Sequence, residues 1–84
     1  MAEVTVYSTS YCPYCVRAKD LLKRKGAAFT ELNAEDDAVR EDMISKAGGR
    51  RTVPQIFING QHVGGSDELH ALDKAGKLDA MLAA

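Results

Sequence analysis

Cys12 and Cys15 are the residues whose type and spacing indicate chemistry. They are the two cysteines of the chain, and Pro13 and Tyr14 separate them. A disulfide between residues so close would shut a very short loop, which constrains the unfolded chain little, so a structural role explains the pair poorly. In a chain without export signals, a Cys-x-x-Cys pattern is typical of a redox motif or of half a zinc site.

The helix predicted after Cys12 distinguishes the two sulfurs. Pro13 suits the first position of a helix, and Gly26 lies where a C-terminal cap belongs. Cys12 would then lie at the helix start, where free backbone N–H groups and the positive end of the helix dipole stabilise a thiolate. Cys15 shares the apolar face of the helix with Leu22. We therefore predict that Cys12 attacks disulfides and that Cys15 resolves the mixed disulfide.

Two simpler explanations of the cysteines are weaker. Zinc needs two further ligands, and the remaining candidates, His62 and His70, do not have the spacing of a zinc pair. A Pro-Tyr insertion at a helix start is an unusual way to place inert cysteines in a core. We therefore predict no metal site, and we expect both histidines to face solvent.

The strands that must position the cysteines form a mixed sheet in the prediction. Four segments have the residue pattern of strands: residues 3–7, 28–32, 53–58 and 61–63. The first two flank a helix, and a βαβ unit of this length implies parallel strands with a right-handed crossover. Asn59-Gly60 between the last two is a strong hairpin signal and predicts an antiparallel pair.

Helices are predicted between and after these strands. They span residues 13–25, a segment from about residue 38 that ends at Gly48, and a segment that Ser66 or Asp67 caps. A short apolar segment follows Gly76. The order is β-α-β-α-β-β-α, so the predicted fold class is α/β with a four-stranded mixed sheet flanked by helices.

Composition limits the kind of site and partner. A chain of 84 residues is predicted to be a single domain, 1–84, too small for a deep cavity, so the site should lie in a shallow groove. The net charge of −1 and the lack of Trp argue against nucleic acid, and the short apolar runs argue against a membrane span. The N-terminal residues lack the features of a signal peptide, so we expect a cytoplasmic protein. We also expect it to act as a monomer.

Three motifs in order carry a resemblance to a known family. Cys12-Pro13-Tyr14-Cys15 follows the first strand, Thr52-Val53-Pro54 precedes the third, and Gly64-Gly65-Ser66-Asp67 precedes a helix. With these motifs the chain closely resembles the dithiol glutaredoxins, in particular the short bacterial form, over nearly its whole length. The resemblance implies a thioredoxin-like fold in which Pro54 has a cis peptide bond and faces the cysteines.

The resemblance also implies a groove that binds glutathione as a co-substrate, with no permanently bound cofactor. The Val53 backbone would pair with the cysteinyl part of glutathione, as an added strand does. The neighbouring residues in this groove would be Tyr14, Thr52 and Pro54, and the γ-glutamyl end would meet Gly65, Ser66 and Asp67. A helix start can hold a carboxylate and Asp67 can accept from an ammonium group, although Ser66 and Asp67 could also serve only as helix caps.

One position departs from the family pattern. Many glutaredoxins carry Lys or Arg three residues before the first cysteine, where it can meet the glycyl carboxylate of glutathione, whereas this chain has Thr9. Arg50 or Arg51, in the loop before Thr52, is the candidate replacement. Without the resemblance, the two arginines would be read as a solvated loop pair.

The leading hypothesis is therefore a glutathione-dependent thiol–disulfide oxidoreductase. Its protein partners would be disulfide-containing or glutathionylated proteins, with ribonucleotide reductase among the candidates. A second hypothesis is a glutaredoxin-like thioredoxin that thioredoxin reductase recycles, against which the Ser66-Asp67 helix start argues. A third is an iron–sulfur carrier in which two chains share a cluster through Cys12 and glutathione, and the Pro13-Tyr14 insertion argues against it.

Overall fold

Four strands form one mixed sheet in a computed structural model that describes residues 2–83. The strands are β1 (Val4–Ser8), β2 (Thr30–Asn33), β3 (Gln55–Ile58) and β4 (Gln61–Gly64), and the helices are α1 (Pro13–Arg24), α2 (Asp37–Lys46), α3 (Ser66–Lys74) and α4 (Leu78–Ala83). The strand order is β2-β1-β3-β4, with β1 and β2 parallel and the other neighbours antiparallel. The predicted fold class is confirmed. Met1 and Ala84, the ends of the predicted 1–84 domain, lie outside the described residues.

The predicted hairpin joins β3 to β4 through a tight turn. Asn59 and Gly60 both have positive φ, at 51° and 79°. Such backbone angles at both central residues match the twist of the flanking strands. Asn59 Oδ1 accepts a hydrogen bond from the Glu3 N–H at 2.9 Å, and the Asn59 N–H donates to the Glu3 carbonyl at 2.7 Å. The turn is therefore tied to the residue that precedes β1.

Several element boundaries differ from the predicted ones. β2 begins at Thr30 rather than at residue 28, because pairing with β1 starts there. β3 begins at Gln55 rather than at residue 53, because Pro54 has no N–H to donate to a strand partner. The segment after Gly76 forms a further helix, α4, whose Leu78 is buried.

The predicted cap of α3 is wrong. Gly65 is the N-cap, and neither Ser66 nor Asp67 takes that position. Gly65 has an extended backbone, and its N–H donates to Glu68 Oε1 at 2.6 Å. Because Glu68 is the third residue of the helix, this contact is the returning half of a capping box, and no cap side chain accepts from the N–H groups of the first turn.

The core lies on both faces of the sheet. Alternate residues of a strand face opposite sides, so Val4 and Val6 point one way and Tyr7 the other. The first face packs on α1, α3 and α4 through a buried cluster: Val4, Val6, Ala18, Leu21, Leu22, Ile56, Ile58, Leu69 and Leu78. The second face packs on α2 through Tyr7, Ala34, Met43, Ala47 and Phe57. None of the helices within residues 2–83 has the length and apolar content needed to cross a membrane.

Candidate active site

Cys12 is the N-cap of α1. Pro13 occupies the first helical position, and Cys12 Sγ accepts a hydrogen bond from the Cys15 N–H at 3.1 Å. The loop before Cys12 is anchored by Glu35, whose Oε1 accepts from the N–H and the hydroxyl of Ser10 at 2.7 and 2.6 Å. Cys12 is partly exposed, so its sulfur combines access to a substrate with a backbone donor that stabilises negative charge.

Cys15 has the opposite environment. It is a free thiol like Cys12, but its side chain has no exposed surface and lies on the buried face of α1 beside Ala18 and Leu22. Burial, reinforced by the adjacent Cys12 sulfur, raises the pKa of the Cys15 thiol to about 12. Cys15 therefore keeps its proton near neutral pH.

Selective alkylation tests this difference. Iodoacetamide should modify Cys12 in the native protein and leave Cys15 unmodified, because Cys15 is both buried and protonated. Since the Cys15 pKa is raised to about 12, moving from about pH 7 to about pH 9 should not form its thiolate, whereas a thiol with the ordinary cysteine pKa would react faster. Peptide mass spectrometry measures both sites. Unfolding in guanidinium is the control, and comparable labelling of both cysteines before unfolding would contradict the assignment.

One groove gathers all the residues predicted to bind glutathione. It has a volume of about 340 Å³ and is lined by Tyr14, Thr52, Val53, Pro54, Gly65, Ser66 and Asp67, together with Arg50 and Glu68. Cys12 reaches its edge, since Cys12 Sγ lies 3.6 Å from the Val53 carbonyl oxygen. The Val53–Pro54 peptide bond is cis, as the resemblance implies. Three segments that are distant in sequence therefore meet beside the exposed sulfur.

A close approach of backbone and side chain shapes the α3 end of the groove. Gly64 has a φ of 120°, and a Cβ built on it would lie 2.5 Å from Glu68 Oε1. A larger residue would therefore combine backbone strain with a clash against the carboxylate. This glycine allows Glu68 to reach back to the Gly65 N–H.

The inference from the sequence missed Glu68. Its carboxylate accepts from the Gly65 N–H and also lies 3.1 Å from Arg50 Nη1. The Gly65 hydrogen bond, with support from Arg50, lowers the pKa of Glu68 below its usual value. The signal was available, because a glutamate three residues after a cap position is the capping-box pattern. Glu68 fixes the turn that carries Gly65, Ser66 and Asp67.

The two adjacent arginines line different cavities. Arg50 lines the groove at its Glu68 end. Arg51 lines a separate cavity of about 160 Å³ together with Thr9, Arg40 and Val53. Arg40 was not identified from the sequence, because it lies in α2 and meets Thr9 only through the fold. Positive side chains therefore lie near the position where the family carries its basic residue.

Neither histidine behaves as expected. His62 and His70 are both partly buried rather than facing solvent. His62 Nε2 lies 2.7 Å from Gln55 Oε1, and His70 Nδ1 lies 2.8 Å from the Ser66 carbonyl oxygen. The partner of His62 lies on the neighbouring strand β3, and the partner of His70 lies one helical turn earlier in α3. Within the part of the chain that the structure describes, no three His, Cys, Asp or Glu side chains are grouped to hold a metal ion.

Comparison with known proteins gives consistent matches. The family model described as Glutaredoxin matches residues 4–63. A glutaredoxin of Pseudomonas aeruginosa is 50% identical over 84 residues and covers 100% of both chains, and glutaredoxin 3 of Escherichia coli K12 is 51% identical, covering 98% of this chain and 99% of its own.

Solved structures agree with these sequence matches. The solution structure of glutaredoxin from Brucella melitensis has a TM-score of 0.83 at 51% identity, covering 95% of this chain and 87% of its own. The crystal structure of a buckwheat glutaredoxin–glutathione complex has a TM-score of 0.87 at 36% identity, covering 95% and 76%. The four-stranded mixed sheet with its helices is therefore the thioredoxin-like fold that the resemblance implies.

Proposed function

Because the chain belongs to the glutaredoxin family of thiol–disulfide oxidoreductases, we propose that it reduces glutathione mixed disulfides and protein disulfides with glutathione as its co-substrate. The observation that carries the proposal is the groove beside Cys12, which brings together the Thr52–Pro54 loop and the start of α3. An extended tripeptide fits such a groove, since backbone pairing and a helix start can recognise it without a deep cavity.

The first reaction removes glutathione from a mixed disulfide. The Cys12 thiolate attacks the glutathionyl sulfur, a new disulfide joins Cys12 to glutathione, and the other thiol leaves as a thiolate that takes a proton from water. A second glutathione thiolate then attacks the glutathionyl sulfur on Cys12. Glutathione disulfide departs and the Cys12 thiolate returns, so this cycle does not use Cys15.

The second reaction reduces a protein disulfide and uses both cysteines. Cys12 attacks the substrate disulfide and forms a mixed disulfide with one of its sulfurs. Cys15 then gives up its proton, which the departing substrate thiolate accepts, and its sulfur displaces the substrate from Cys12. Because the Cys12 sulfur contributes to raising the pKa of Cys15, its conversion to an uncharged disulfide assists this proton loss. Two glutathione molecules reduce the resulting Cys12–Cys15 disulfide.

The corrected cap of α3 strengthens the proposed γ-glutamyl site. Glu68 accepts from the Gly65 N–H only, which leaves the N–H groups of the first turn without a side-chain cap, and the Asp67 carboxylate is exposed and is not used as a cap. Asp67 can then accept hydrogen bonds from the ammonium group of glutathione, while the N–H groups at the start of α3 and the Ser66 hydroxyl hold its carboxylate. Val53 supplies the backbone for the cysteinyl residue, with Tyr14 on one side.

We place the glycyl carboxylate of glutathione near Arg51 and Arg40 rather than near Arg50. Arg50 is paired with Glu68 at the γ-glutamyl end of the groove, where its charge is already compensated. Arg51 and Arg40 share a cavity with Thr9 and with Val53, the residue whose backbone would pair with glutathione. The two guanidinium groups there supply the charge that Thr9 lacks.

We propose that the whole chain, residues 1–84, is one domain that acts as a cytoplasmic monomer. Both buried clusters pack on the two faces of one sheet, which supports a single folding unit. A reducing compartment would maintain the free thiols of Cys12 and Cys15. Disulfide-containing and glutathionylated proteins are the proposed partners, ribonucleotide reductase among them.

The source of electrons tests this function. With a glutathionylated peptide as substrate, the protein should consume NADPH when glutathione and glutathione reductase are supplied. We expect at least about tenfold slower turnover when thioredoxin reductase replaces both. Asp67→Asn should raise the KM for the glutathionylated peptide several-fold, because the amide oxygen still accepts but no longer carries the negative charge that attracts the ammonium group.

Asp20→Asn is the matched control, since Asp20 is exposed on α1 and does not line the groove.

Recycling by thioredoxin reductase alone would favour the glutaredoxin-like thioredoxin instead. Anaerobic purification with visible cluster absorption would favour the iron–sulfur carrier.

A further inference from the structure

A hydrogen-bonded series of three polar residues links the groove loop to β4, and its middle member is buried. Gln55, the first residue of β3, has no exposed surface. Its Nε2 donates to the Thr52 carbonyl oxygen at 2.9 Å and to Thr52 Oγ1 at 3.1 Å. Its Oε1 lies 2.7 Å from His62 Nε2. The Gln55 amide therefore connects the groove loop to a histidine on β4.

The donors and acceptors available fix the orientation of the Gln55 amide and of the His62 ring. The Thr52 carbonyl can only accept, so the NH₂ group of Gln55 must face it. The Gln55 oxygen then faces His62, whose Nε2 must carry the proton. The His62 ring packs against Phe57, with ring centroids 5.0 Å apart and planes tilted by 34°. The packing limits rotation of the imidazole and keeps its donor directed at Gln55.

The position of Gln55 connects these hydrogen bonds to the active site. Pro54 has no N–H, so the loop from Thr52 to Gln55 lacks one of the backbone donors that could hold it. The Gln55 side chain spans this loop and ties Thr52 to the start of β3. Val53 lies inside the spanned loop, with its carbonyl 3.6 Å from Cys12 Sγ. Movement of Thr52 would therefore displace the backbone that faces the sulfur.

We infer that Gln55 is a positioning residue for glutathione recognition: its amide holds Thr52, and through Thr52 the Val53 backbone, while His62 fixes the orientation of the amide. Gln55 acts without touching the substrate, since it is buried and does not line the groove. This inference rests on the proposed function, because it concerns how the Val53 backbone reads the cysteinyl part of glutathione.

Gln55→Met tests the inference, since methionine has a similar shape but cannot donate a hydrogen bond. Two substrates are compared: a peptide carrying glutathione on its cysteine, and the same peptide carrying cysteamine, which lacks a peptide backbone. Gln55→Met should raise the KM for the glutathionylated peptide about five- to tenfold and change kcat less than about twofold. The kcat/KM for the cysteamine disulfide should stay within about twofold of the parent value.

Variants of β4 refine the test. His62→Leu, which removes the donor to Gln55, should raise the same KM, whereas His62→Gln, which can offer an amide N–H in place of Nε2, should restore it to within about twofold. Gln61→Met is the matched control, because Gln61 is exposed beside His62. If Gln55→Met does not fold, as judged by circular dichroism, His62→Leu and His62→Gln carry the comparison.

The outcomes separate this inference from the proposed function. A parent protein that shows no preference for the glutathionylated peptide over the cysteamine disulfide would overturn the proposed function. If the parent protein has that preference and a folded Gln55→Met variant keeps it, only the positioning role of Gln55 is overturned. If Gln55→Met lowers kcat/KM equally for both substrates, the effect is a general structural one, and the positioning role is overturned as well.

Discussion

Cys12→Ser is expected to abolish both the removal of glutathione and the reduction of protein disulfides, by about 10³-fold or more in each case. A serine hydroxyl is almost fully protonated near neutral pH and cannot form the mixed disulfide on which both reactions depend. The substitution should leave α1 intact, because serine is a favoured N-cap and can accept the Cys15 N–H that Cys12 Sγ accepts.

NADPH consumption coupled to glutathione reductase measures the first reaction, and loss of a protein disulfide followed by thiol labelling measures the second. Circular dichroism controls for folding. Activity within tenfold of the parent in either assay would refute the assignment of Cys12 as the attacking thiol.

Cys15→Ser is expected to separate the two reactions. Removal of glutathione from a mixed disulfide should remain within about threefold of the parent rate, because Cys12 and a second glutathione complete that cycle. Reduction of a protein disulfide should fall by about 10²-fold, because the mixed disulfide on Cys12 loses its internal resolving thiol. The same coupled assay and thiol labelling provide both rates.

Because Cys15 is fully buried, a serine hydroxyl there costs stability, so Cys15→Ala serves as the control that leaves no unpaired hydroxyl. Both substitutions should give the same pattern. If they slow the two reactions equally, Cys15 acts on the structure of the site rather than as a resolving thiol.

Local sequence signals predicted the elements that carry the cysteines. Pro13 places the start of α1, and the Asn59-Gly60 turn sets the β3–β4 hairpin. These signals worked because a fixed φ in proline and access to positive φ in Asn and Gly are properties of the residues themselves. Cys15 is buried as the helical angle predicts, since the period of an α-helix is known before its neighbours are.

The cap of α3 and the start of β3 were predicted less well. Ser66 and Asp67 are both good caps, so residue propensities favoured them. Gly65 takes the N-cap position because the Glu68 carboxylate reaches the Gly65 N–H, and Gly64 has no side chain in its way. The strand pattern from residue 53 continued through Pro54, whereas the ladder begins only at Gln55. At α3 a specific hydrogen bond decided between caps that residue propensities leave nearly equal, whereas at β3 the missing N–H of Pro54 outweighed the strand pattern.

The sequence by itself determined the chemistry: two thiols at a helix start, one exposed and one on the apolar face, and motifs that identify the family. Only the tertiary structure decided which side chains surround those thiols. It separated Arg50 from Arg51, brought Arg40 to Thr9, and linked Gln55 to His62. The physical reason is that helix period and turn preference are local properties, whereas a groove, an ion pair or a buried hydrogen bond depends on distances between segments that the chain brings together only by folding.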